Sequence, residues 1–85
     1  MRLDKYLKVS RIIKRRTVAK EVCDTGRVLV NGKTGKPGTE VKVSDIIEIQ
    51  YASGSIKAEV LDISEHVTKD GAKELYRILS GREIE

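Results

Sequence analysis

Several residue types that would point to particular chemistries are missing from this 85-residue chain. Its one cysteine, Cys23, excludes an internal disulfide, and a single histidine, His66, leaves no cysteine–histidine set of the kind that holds zinc. Phenylalanine and tryptophan are absent, so the core must be built mainly from aliphatic residues. No apolar run is long enough for a transmembrane span or a signal peptide. We therefore expect a reduced, cytoplasmic setting, with no membrane, metal or cofactor.

Catalytic motifs are also lacking. Gly32, Gly35 and Gly38 recur every three residues, but they lack the strand–loop–helix context and the Lys-Ser/Thr ending of a phosphate-binding loop. His66 stands alone in an acidic stretch and is expected to be an exposed loop residue, while Cys23 falls on the apolar side of a predicted helix, which is typical of core packing. The scattered carboxylates leave a paired-acid site open without pointing to one. The sequence thus favours a binding protein, not an enzyme, and no small-molecule substrate.

Positive charge is concentrated in the first half of the chain. The net charge is +4, but residues 1–45 hold 12 Lys+Arg and 5 Asp+Glu, whereas residues 46–85 hold 5 and 8. Between residues 2 and 20 eight cations accompany one acid, Asp4. Such a basic segment on a folded element is typical of phosphate binding, although a charge run is often only a solvated face. An anionic membrane is a weaker alternative, because the apolar side of the segment is needed for the core.

Structured RNA is favoured over DNA and over single strands. The basic segment lacks the asparagine and glutamine set of a helix that reads the major groove. The predicted strands carry no aromatic pair on which unpaired bases could stack. Recognition of RNA by its shape and backbone remains.

The spacing of apolar residues predicts an α+β fold. It predicts a short helix over residues 2–8 and a second helix from an N-cap at Thr17 to about Asp24, with Gly26 as the left-handed residue after it. Asn31-Gly32 predicts a tight hairpin turn. We expect the two helices to pack on a small, mostly antiparallel β-sheet.

Alternating residues over 47–51 and 56–60, around a turn at 52–55, complete a predicted sheet of three strands. A stripe at positions 72, 75, 76 and 79 predicts a C-terminal helix over residues 70–79. We expect residues 1–65 to form the RNA-binding domain and residues 66–85 to form a helix and tail packed on it or extending it.

Three blocks of sequence resemble the S4 RNA-binding domain family. Residues 2–7 follow its R-L-D-x-x-L pattern, residues 15–20 its basic helix start with an alanine, and residues 26–32 its G-x-V-x-V-N-G pattern. Residues 41–49 resemble its V-x-x-G-D-x-I strand, with Ser44 where glycine is usual. The three blocks stand in the family's order within the first fifty residues, and the chain is most similar to the stand-alone members related to the fifteen-kilodalton heat-shock protein.

The resemblance implies a role in ribosome-associated quality control. It implies binding to 23S rRNA and tRNA on the large (50S) ribosomal subunit that carries stalled peptidyl-tRNA, and support of C-terminal alanine tailing by an RqcH-type partner. It also implies the S4-like fold of two helices on a small sheet, and we expect a monomer. Alternatives are a general structured-RNA-binding protein or RNA chaperone, and an accessory to an rRNA-modifying enzyme.

The predicted RNA-binding residues combine the basic segment with exposed lysines and a turn of the hairpin region. The resemblance implies that Asp4 orients Arg2 or Arg16, and that Asn31 and Gly32 present a turn beside the RNA; the alternative is that both serve the turn alone. The set is Arg2, Asp4, Lys5, Lys8, Arg11, Lys14, Arg15, Arg16, Thr17, Lys20, Asn31, Lys33 and Lys36.

Overall fold

Two short helices follow the apolar spacing of the N-terminal sequence. The computed structural model of the protein describes residues 1–65 and 70–81, with α1 at Leu3–Val9 and α2 at Arg16–Asp24. Leu3, Tyr6 and Leu7 are fully buried on α1, as their spacing predicts. Both predicted helices are therefore confirmed, with the start of α1 one residue and the start of α2 two residues from those expected.

The end of α2 is set by a glycine. Gly26 has a φ of 78°, which a side chain would strain, and its N–H donates to the Cys23 carbonyl at 3.0 Å. The N–H of Arg27 donates to the Val22 carbonyl at 3.3 Å, which completes a Schellman motif. The predicted left-handed residue after the helix is confirmed.

The start of α2 differs from the prediction. Thr17 is not the N-cap: the helix begins at Arg16, the cap position is held by Arg15, and no side chain bonds to the cap. Thr17 lies exposed within the first turn. The guanidinium of Arg16 pairs with the Asp4 carboxylate on α1 at 3.4 Å, and this tertiary contact holds Arg16 in the helix without the threonine cap.

Within the described residues the strands form one five-stranded sheet in the order β2-β1-β3-β4-β5, with every neighbouring pair antiparallel. The α+β prediction is confirmed, with two more strands than the three expected. The strands are β1 Val28–Val30, β2 Lys33–Thr34, β3 Ile46–Tyr51, β4 Gly54–Val60 and β5 Tyr76–Ser80.

A tight turn fixes the register of the β1–β2 hairpin. Asn31 and Gly32 have φ values of 53° and 83°, and Val30 pairs with Lys33 across them, as the Asn-Gly signal predicts. The Asn31 side chain accepts the Ile46 N–H at 2.9 Å and donates to Asp45 at 3.0 Å. Asn31 therefore ties the hairpin to β3, which supports a role in the turn itself.

The predicted C-terminal helix is wrong. Residues 71–75 form a short 3₁₀ helix, and β5 follows, paired with β4 in register Val60 with Tyr76 and Ala58 with Ile78. A ten-residue helix is marginal by itself, and Gly71 weakens it further. The strand instead satisfies the backbone groups along the open edge of β4. Leu79, which the helical stripe required to be buried, is 45% exposed. His66 lies outside the described residues.

The core lies between the helices and one face of the sheet. Ile47, Ile49, Ile56 and Ala58 are buried and alternate with outward residues such as Glu59. They pack in one cluster with the apolar side of α1 and with Ala19 and Cys23 of α2. The charged side of both helices is therefore turned to solvent on a rigid base.

Ser44 gives a test of the turn before β3. It has a φ of 79°, and its N–H donates to the Val60 carbonyl at 2.8 Å, so a serine holds a conformation that suits glycine. We expect Ser44→Gly to raise the free energy of unfolding by about 0.5–1 kcal/mol, because relief of the left-handed strain exceeds the entropy that glycine adds to the unfolded chain. Urea unfolding measures this, and a lower midpoint would contradict it.

Candidate nucleic-acid interface

A buried carboxylate holds two arginines at the junction of α1 and α2. The side chain of Asp4 is 4% exposed, and its oxygens lie 3.3 Å from Arg2 Nε and 3.4 Å from Arg16 Nε. Its Oδ1 also accepts the N–H of Lys5 at 2.8 Å. Both arginine side chains are about half exposed. Asp4 thus fixes two guanidinium groups while leaving much of their surface open to solvent.

The loop before β3 positions this group. The N–H groups of Leu3 and Asp4 donate to the carbonyls of Thr39 and Pro37 at 2.8 and 3.1 Å, so the loop backbone satisfies the first turn of α1. Gly35 permits this approach, because a Cβ there would lie 2.7 Å from Leu3 Cδ2. An isolated antiparallel β-bridge between Arg2 and Glu40 joins the start of α1 to the same loop.

A second basic group lies toward the C-terminal end of α1. Lys8, Arg11 and Lys14 line a shallow pocket of about 190 Å³ together with Val9 and Glu65. Lys5 pairs with Glu65 at 2.6 Å. Arg11 follows the C-cap of α1 with a φ of 61°, and its N–H donates to the Lys8 carbonyl at 3.0 Å. We call this group the α1 pocket.

The segment between the helices adds a third feature. Lys14 and Arg15 surround a hollow with Ile13 and Val18, and Val18 is 38% exposed. Lys20 is exposed on α2. The cations from α1, the connecting turn and α2 therefore share the solvent side of the helical layer.

The hairpin residues of the predicted set are placed differently. Asn31 and Lys33 belong to the β1–β2 hairpin at the edge of the sheet, whereas Lys36 lies in the loop whose backbone meets the start of α1. The structure thus places Arg2 and Arg16 at Asp4, and Lys8, Arg11 and Lys14 at the α1 pocket. Lys36 immediately precedes Pro37, whose carbonyl accepts the Asp4 N–H.

Sequence reasoning missed one residue of this surface, Glu65. It lies sixty residues from Lys5 along the chain, and no periodicity links two positions so far apart. Its place among the lysines follows only from the fold. An acidic residue just after the last strand of the predicted domain was the only signal for it.

Nucleophilic chemistry finds little support in the described residues. Cys23 is buried, and burial raises the pKa of its thiol to about 11, so the reactive thiolate is scarce near neutral pH. Burial also raises the pKa of Tyr6, whose hydroxyl donates to the Leu75 carbonyl at 2.7 Å. Residues 1–65 and 70–81 hold no cluster of potential metal ligands. The prediction that Cys23 packs in the core is confirmed.

Within residues 1–65 and 70–81, no helix is both long and apolar enough to cross a membrane.

Comparisons with known proteins identify the family. The S4 domain model matches residues 1–47. The RQC P-site tRNA stabilizing factor of Streptococcus pneumoniae is 51% identical over 85 residues, which cover 100% of this chain and 97% of that protein. The factor of the same name from Listeria innocua is 54% identical over 79 residues, covering 93% and 86%.

A solved structure shares the fold. Heat Shock Protein 15 of Vibrio cholerae, described as trimeric, superposes with a TM-score of 0.84 at 28% identity, over 94% of this chain and 82% of that one.

Proposed function

Because this chain belongs to the S4 domain family, we propose that it is a non-catalytic RNA-binding factor of ribosome-associated quality control. It binds tRNA and 23S rRNA on large ribosomal subunits that carry stalled peptidyl-tRNA. The names of its full-length relatives, which refer to a tRNA in the P site, support this role.

One observation carries the proposal: the two arginines that Asp4 holds on neighbouring helices. Guanidinium groups bind phosphate through parallel hydrogen bonds, and a fixed orientation lowers the entropy lost on binding. A flexible basic tail would give charge without direction. Here Arg2 donates to Asp4 through Nε at 3.3 Å and Nη2 at 3.5 Å, and Arg16 through Nε at 3.4 Å, while about half of each side chain stays open to a ligand.

The chemistry of the site favours the RNA backbone. Most of the exposed groups of the helical layer are cations, and shape recognition of structured RNA needs phosphate and ribose contacts more than base contacts. On this proposal the protein is ribosome-associated, and it supports C-terminal alanine tailing by an RqcH-type partner through its hold on the tRNA.

Sedimentation after translational stalling tests the proposal. We expect the full chain to migrate with large-subunit fractions, and RNA crosslinks mapped from cells to fall on 23S rRNA and tRNA. Its absence from those fractions would contradict the ribosomal role. Competition by bulk RNA at equal affinity would instead favour a general RNA chaperone.

A further inference from the structure

Glu65 is an unexpected residue on a surface otherwise suited to phosphate. Its carboxylate pairs with Lys5 at 2.6 Å and lines the α1 pocket with Lys8, Arg11 and Lys14. Its side chain is 50% exposed, so water can solvate the carboxylate without the contact to Lys5. A carboxylate and a phosphate present similar anionic oxygens to lysine and arginine. The position that Glu65 occupies is therefore one that an RNA phosphate could take.

Arg11 supplies an independent observation from the backbone. It holds the left-handed conformation after α1, with a φ of 61°, at the position where helices commonly place glycine. An arginine there carries a conformational cost that glycine would avoid. Such strain often accompanies a functional side chain, and this side chain lines the α1 pocket.

We propose that the α1 pocket, together with Lys5, is a discrete phosphate subsite and that the Glu65 carboxylate, which lines the pocket, holds Lys5 in the free protein. An RNA phosphate takes the place of the carboxylate on binding. The subsite is distinct from the arginines held by Asp4, and it deepens the proposed function, on which it rests. Glu65 acts as an internal competitor, so that RNA gains less from Lys5 than from a lysine without such a partner.

The competitor has an expected signature in binding. Glu65→Gln keeps the size of the side chain and removes its charge. We expect it to tighten binding of a fluorescent tRNA about two- to fivefold, the range of an exposed ion pair. Glu59→Gln is the matched control, because it removes the same charge from another ion pair. Glu59 pairs with Arg77 on the face of the sheet away from the helices.

Arg11→Gly provides the converse test. We expect it to weaken binding of the same tRNA about three- to tenfold. The slope of the logarithm of the binding constant against the logarithm of the salt concentration should become shallower by about 0.7–0.9, the value for one lost phosphate contact. The midpoint of thermal unfolding should stay equal or rise, because glycine suits the backbone at this position. Loss of affinity therefore cannot be explained by unfolding.

Each outcome decides the proposal. A Glu65→Gln affinity equal to that of Glu59→Gln would overturn the subsite, and so would a weaker one, which would make Glu65 a direct acceptor for RNA. Unchanged binding by Arg11→Gly would also overturn it. If the wild-type chain binds tRNA normally and these variants behave like the control, only the subsite fails. If the wild-type chain does not bind tRNA at all, the proposed function fails together with it.

Discussion

Replacing Asp4 by asparagine is expected to weaken RNA binding by about 1–3 kcal/mol, although it removes a negative charge from a basic surface. Asp4 lies between Arg2 and Arg16 with its side chain only 4% exposed. An asparagine keeps the shape, but it can accept through only one oxygen, and its amide nitrogen faces guanidinium donors. Both arginines would lose their fixed orientation. A simple count of charge predicts the opposite sign.

The measurement is tRNA binding by fluorescence anisotropy at constant salt, together with urea unfolding. We expect the Asp4→Asn free energy of unfolding to fall by about 1 kcal/mol, because a charged acceptor is lost in the first turn of α1. Glu59→Gln loses the same charge far from the helices and should leave binding close to that of the wild type. Tighter binding by Asp4→Asn would show that Asp4 acts only through its charge, and it would remove the observation on which the proposed function depends.

Arg16→Ala should weaken rRNA or tRNA binding by about 1–3 kcal/mol while the domain remains folded. Arg16 is about half exposed, and its contact with Asp4 joins the first turn of α2 to α1. Its removal takes away both a phosphate ligand and one of the two groups that Asp4 orients. The free energy of unfolding should fall by about 1 kcal/mol, since the buried Asp4 carboxylate keeps its contacts with Arg2 and with the Lys5 N–H.

Arg77→Ala is the control for this prediction. Arg77 pairs with Glu59 across β4 and β5, on the face of the sheet that the helices do not cover. Both variants lose one positive charge, so any shared effect is long-range electrostatics. Binding and thermal unfolding of the two variants, measured in parallel, separate loss of the site from loss of charge. Equal affinities would refute the assignment of Arg16 to the interface.

The two acids of the basic surface are predicted to act with opposite signs. Asp4 is buried and holds the guanidinium groups of two arginines, whereas Glu65 is half exposed and pairs with the terminal amine of Lys5. Because Asp4 is buried, it positions the arginines. Because Glu65 is exposed, an RNA phosphate can replace it. Asparagine at position 4 and glutamine at position 65 should therefore change affinity in opposite directions.

Local patterns were sufficient for the N-terminal part of the fold. Leu3, Tyr6 and Leu7 define the buried side of α1, and Asn31-Gly32 defines a turn, because periodicity and positive φ depend on neighbours a few residues apart. The pairing of Asp4 was foreseen only as a choice between Arg2 and Arg16, and the structure shows both contacts.

The C-terminal segment shows where local patterns fail. Residues 72–79 carry a helical stripe, yet they form a 3₁₀ turn and β5. A stripe reports which residues can be buried, but the backbone conformation was decided by hydrogen bonds to β4, a strand more than ten residues earlier. The predicted start of α2 was wrong for a similar reason, since Arg16 is held by Asp4 of the other helix.

The sequence alone determined that the first half of this protein is basic, that many of its cations lie on or between two short helices, and that its motifs resemble those of the S4 family. Tertiary structure decided which cations are held by Asp4, which surround the α1 pocket, and that Glu65 lies among them. The physical reason is that composition and periodicity act over one or two turns of chain. The pairing of Lys5 with a residue sixty positions away depends instead on how the helices and the sheet pack.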